Sequence, residues 1–71
     1  MKKIEVKFNK ELYSAVAVKK AADDFGKAAK ILFKKQPNYY HVTIEAYQPE
    51  EGELVRNNFI NYVLFFSRAR L

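Results

Sequence analysis

The spacing of hydrophobic residues switches along this chain between two and about 3.6, and the order of the switches leaves few folds open. Lys3-Ile4-Glu5-Val6-Lys7-Phe8-Asn9 alternates strictly, which puts Ile4, Val6 and Phe8 on one face of a half-buried strand. A helical stripe follows over about 15–25, with Ala15, Val18, Ala21, Ala22 and Phe25 on one side and Lys19, Lys20, Asp23 and Asp24 on the other. Alternation returns twice, in 29–34 with Ile31 and Phe33 facing in, and in 40–46 with Val42, Ile44 and Ala46 facing in. The last segment is helical again, its core stripe formed by Val55, Phe59, Tyr62, Val63 and Phe66.

Boundary residues support the same order. Ser14 can accept from an orphan helix N–H as N-cap, with Tyr13 before it packing on Val18 as a hydrophobic staple. Gly26 is expected to end that helix in a left-handed C-terminal position. Gln36-Pro37-Asn38 is turn chemistry between two strands, hence an antiparallel hairpin. Gln48-Pro49-Glu50-Glu51-Gly52-Glu53 opens the last helix with acids where its dipole favours them, and Arg68 and Arg70 lie at the favourable opposite end. The fold expected is α+β: a two-layer sandwich in the order strand-helix-strand-strand-helix, a three-stranded sheet with two helices on one face. A right-handed crossover makes strands one and two parallel to each other and antiparallel to strand three, which is expected at the centre.

Composition limits what such a sandwich can do. The 71 residues form one domain, 1–71, of a size that buries only roughly 60–65% of its unfolded surface. Zero Cys, one His and two Gly provide no Cys/His pair, no multi-His metal site and no Gly-rich phosphate loop, so neither catalysis, a metal nor a cofactor is expected. His41 has no neighbouring Ser or Cys nucleophile, and Glu50, Glu51 and Glu53 read as a helix start before a cation site. No segment reaches the roughly 18 apolar residues of a membrane span, so a cytoplasmic location is the expectation and no membrane partner is. The net charge of +5 is uneven: residues 1–36 hold ten Lys and four acids, residues 37–71 three Arg and four acids.

Three surfaces emerge as partner sites. Ile60, Leu64, Phe65 and Leu71 fall outside the last helix's core stripe, which suggests a homodimer or a protein partner docked there. Lys7, Lys34, Tyr39, His41 and Tyr47 share the open sheet face, where cations and aromatics interleave as in single-stranded nucleic-acid binders. Glu5 and Glu45 on that face would repel phosphate, so nucleic acid is the second reading. An outer strand at about 29–34, carrying Lys30 and Lys34, can take an added peptide strand, preferably acidic, and Leu32 is the mid-strand position at which a proline would test this.

The stretch from Tyr13-Ser14 through Val16, Val18, Ala21-Ala22 and Phe25, then the hairpin, then Phe59-Ile60-Asn61-Tyr62-Val63-Leu64 and Arg68, resembles the D proteins of His-Xaa-Ser systems. The resemblance covers about residues 4–70 through short apolar motifs. It implies a small accessory protein that accompanies radical S-adenosylmethionine enzymes and the repeat peptide they are thought to modify, with no catalytic residue of its own. The function expected is a small non-enzymatic module that binds a protein or peptide.

Overall fold

The computed structural model describes residues 3–69. Its elements are β1 (Ile4–Asn9), α1 (Ala15–Asp24), β2 (Ala29–Lys35), β3 (Tyr39–Ala46) and α2 (Gly52–Ala69), with short 3-10 turns at Phe25–Lys27 and Pro49–Glu51. The sheet runs β1-β3-β2, with β3 central and antiparallel to both neighbours. Both helices cover the face bearing Ile4, Val6, Phe8, Val42 and Ile44, which is the two-layer α+β sandwich the alternation dictates.

Ser14 caps α1 as expected, its Oγ accepting from the Ala17 N–H at 3.0 Å. Tyr13 beside it turns its ring edge onto Phe8, centroids 4.9 Å apart, and so ties the start of α1 to the end of β1. The core then closes around Phe59 of α2, fully buried between Phe8 (6.0 Å) and Phe25 (5.4 Å, edge-on). The two helices lie antiparallel: the Ser14 N–H donates to Ser67 Oγ at 3.1 Å at one end, and Tyr62 donates its hydroxyl to Asp24 at the other.

Gly26 does not adopt the expected left-handed conformation, since no described residue has a positive φ. The chain instead ends α1 with an ordinary helical bond from Phe25 N–H to the Ala21 carbonyl and then tightens, Ala28 N–H bonding to the Phe25 carbonyl at 3.0 Å. The physical reason is the entry to β2: the right-handed turn delivers Ala28 to the end of β3, where its carbonyl accepts from Tyr47 N–H at 3.1 Å. A Cβ at Gly26 meets nothing within 4 Å. Gly26→Ala is therefore expected to raise stability by about 0.4–1 kcal/mol, by restricting the unfolded chain. Thermal unfolding checks this; a fall in Tm would restore the left-handed reading.

Hydrogen bonds at the hairpin ends fix which backbone groups of each strand are free. Tyr47 N–H donates to the Ala28 carbonyl at 3.1 Å and Gln36 N–H to the Tyr39 carbonyl at 2.9 Å, so even-numbered residues of β2 bond to β3. Odd-numbered Ala29, Ile31, Phe33 and Lys35 then direct their backbone N–H and C=O away from the sheet. On the other side Lys10 N–H donates to the Asn38 carbonyl at 3.3 Å, which turns even residues of β1 toward β3 and leaves Glu5 and Lys7 with outward backbone groups.

Candidate binding surfaces

The uncovered sheet face is organised in cross-strand rows. His41 of β3 stands between Lys7 of β1 and Lys34 of β2, and Thr43 between Glu5 and Leu32. Glu45 faces Lys30. His41 Nε2 lies 2.7 Å from Glu5 Oε1 and donates to it, a diagonal contact between adjacent strands. Lys7 lays its ammonium over the Tyr39 ring, 5.1 Å from the centroid. Each acid on this face thus has a cationic or imidazole neighbour. Tyr47, expected on the same face, lies one residue past the end of β3 and is exposed. The five residues are therefore not one stacking platform: Lys7, Tyr39 and His41 cluster, Lys34 borders them, and Tyr47 stands at the far end of the hairpin.

Cations are more concentrated along β2 than on the face as a whole. Lys27, Lys30, Lys34 and Lys35 line the strand and the turn before it, and no acid lies between them. All four are exposed. With β1-β3-β2 order, β2 also carries an edge that no strand of the described chain pairs. Edge lysines normally suppress sheet-to-sheet aggregation, and their charge also selects what can approach. Leu32 is an even residue, so its N–H points to Thr43 of β3; a proline there breaks the hairpin ladder and does not remove an outward donor.

The last helix departs in part from the expectation. Ile60, read as lying outside the core stripe, packs against the core, and Leu64 is half-buried. Phe65 is exposed at 64%, its ring edge-on to Phe66, while Leu71 lies outside the described residues. Leu54 is exposed at 59% and was not foreseen, although its spacing from Phe65 puts both on one side of α2. The difference follows from where α1 sits. The Tyr62 side of α2 meets Asp24 and Phe25, so the buried arc is wider than one stripe and reaches Ile60 on its far side.

Between the start of β1 and the start of α2 lies a cleft of about 550 Å³ in which Lys3 and Arg56 stand with Glu50 and Glu53 over Ile4 and Pro49. Its charges balance, and Arg56 Nε is buried there with no partner while its Nη2 donates to Asn57 Oδ1 at 3.0 Å. Among the described residues no three His, Cys, Asp or Glu side chains gather as a metal site, and no helix is long and apolar enough to cross a membrane. No protein-family model, curated protein or solved structure matches the chain.

Proposed function

We propose that the protein is a non-enzymatic peptide-binding module that captures an extended acidic segment by strand addition along the free edge of β2. The observation that carries this reading is the coincidence, on one edge, of outward backbone groups at Ala29, Ile31, Phe33 and Lys35 with four exposed lysines, Lys27, Lys30, Lys34 and Lys35, of which Lys30 alone faces an acid, Glu45, across the ladder. Backbone pairing supplies affinity for any extended chain, and the lysines discriminate by charge. An accessory role beside a peptide-modifying enzyme, which the resemblance to the His-Xaa-Ser D proteins implies, needs only such a holding function. Single-stranded nucleic acid is supported less well, because Lys7 already covers the Tyr39 ring and Glu5 and Glu45 lie among the cations.

The alternation of free and bonded amides gives the test its resolution. Hydrogen exchange of the protein with a short Glu-alternating peptide is expected to slow at Ile31, Phe33 and Lys35, with Lys30, Leu32 and Lys34 unchanged because β3 already holds them. Reversing Lys30 and Lys34 to Glu together should weaken binding by about tenfold or more. Protection confined to α2 rejects strand addition. So does an oligothymidylate that outcompetes the peptide and perturbs His41 and Thr43 while leaving the β2 edge untouched.

A further inference from the structure

The two open edges of the sheet differ in a way that assigns them different occupants. On β1 the residues with outward backbone groups are Glu5 and Lys7, which carry opposite charges and flank Val6 symmetrically. The free stretch ends at Asn9, whose carbonyl accepts from Leu12 N–H at 3.1 Å and Tyr13 N–H at 3.0 Å and is no longer available. An antiparallel pairing of two β1 strands centred on Val6 uses this free stretch and nothing else. It sets Glu5 of each copy against Lys7 of the other as hydrogen-bonded pairs, and on the inner face it sets Val6 against Val6 and Ile4 against Phe8. Moving the centre to Glu5 or to Lys7 instead opposes like charges. Two copies of β2 have no such solution, since the only charged residues of that strand are lysines and no register sets opposite charges against each other.

The helix layer adds to the same edge. Tyr62 marks the side of α2 that meets α1, and helical spacing places Ile60 and Leu64 nearly opposite Tyr62. That opposite side belongs to β1: Arg56 on it shares a cleft with Lys3 and Ile4, and a Cβ on Gly52 would lie 3.2 Å from Ile4 Cδ1. Half-buried Ile60 and Leu64 therefore overlook the edge at which a second strand would lie, and contribute apolar area that a bare pair of strands lacks.

We infer that the protein forms a symmetric homodimer through β1, with the strands antiparallel about Val6, Glu5 facing Lys7 of the other copy, and one six-stranded sheet running through both. The β2 edges remain at the two outer ends of that sheet, so the inference is independent of what binds there.

Sedimentation equilibrium of the wild-type protein is expected to show a dimer, and its amide exchange should slow at Glu5 and Lys7 as concentration rises. Glu5→Lys and Lys7→Glu each create two like-charge contacts by symmetry and should weaken association about tenfold or more, whereas the double reversal restores opposite charges and should return it to within about threefold. Because the chain has no cysteine, Val6→Cys introduces one thiol per copy, and it should form an intermolecular disulfide on oxidation. A wild-type protein that stays monomeric at high micromolar concentration overturns the dimer. A double reversal no better than the single ones, with all variants folded by circular dichroism, overturns the register; should the variants fail to fold, unchanged exchange at Glu5 and Lys7 in concentrated wild type decides against it.

Discussion

Phe59→Ala is expected to leave the protein largely unfolded in mild urea, where the wild type is folded. The ring is completely buried and bridges the layers, touching Phe8 from β1 and Phe25 from the turn after α1. Truncation of such a ring costs about 3–5 kcal/mol, since the transfer energy is lost and the space left cannot fully collapse. A domain of this length has only about 4–10 kcal/mol of stability in all, so most of it would go. Leu54→Ala on the exposed side of the same helix should change stability by less than about 0.5 kcal/mol. Urea denaturation of the two variants separates the loss of a core ring from any general weakening of α2; similar midpoints would show that Phe59 is not where the layers meet.

Ile44→Ala should cost about 2–5 kcal/mol, the next largest effect. Ile44 sits on the central strand with Ile4 on one side and Ile31 on the other, fully buried beneath the helices. Its sequence neighbour Thr43 faces the opposite way, between Glu5 and Leu32, so Thr43→Ala should cost far less. In a domain this small each kcal/mol moves Tm by about 4–8 °C, which makes the contrast easy to read by thermal unfolding. Comparable losses at the two positions would contradict the one-sided covering of the sheet.

Much of this arrangement is readable before any coordinates. Period-two spacing assigns Val42 and Ile44 to one face and His41 and Thr43 to the other without reference to tertiary structure, because alternation is a property of the strand itself. The centrality of β3 follows from the crossover rule, as only the third strand can be antiparallel to both others. Helix surfaces are less legible. A wheel gives the order of residues around α2 but not the width of the arc that neighbours cover, and that width decides that Ile60 packs inward while Leu54 does not. Ala17 of α1 escaped for the same reason: next to Ala21 around the helix and just beyond the edge of the expected stripe, it is nonetheless buried between the layers. Gly26 shows another limit, since a glycine after a helix permits the left-handed turn without requiring it, and the bonds that join Ala28 to Phe25 and to Tyr47 use a right-handed one. Which backbone groups each edge leaves free is hidden in the sequence altogether, because it depends on which amides point outward, and hydrogen bonds at the strand ends decide that.

The central place of β3 also bears on the time course of assembly. Hairpin partners β2 and β3 are close in sequence and can zip from the Gln36-Pro37-Asn38 turn on the microsecond scale of isolated hairpins. β1, synthesised ahead of the hairpin, has no local partner: thirty residues separate Asn9 from Tyr39 and forty separate Ile4 from Ile44. Its docking must await the end of the hairpin and the closure of a long loop, so it is the slow, entropically costly event of folding. During that wait one side of β3 lies bare, and the β1 of a neighbouring nascent chain is chemically identical to the one that belongs there. Crowded synthesis should therefore favour exchanged strands between chains over disordered aggregates, with the exchanged species retaining every strand contact of the proper fold.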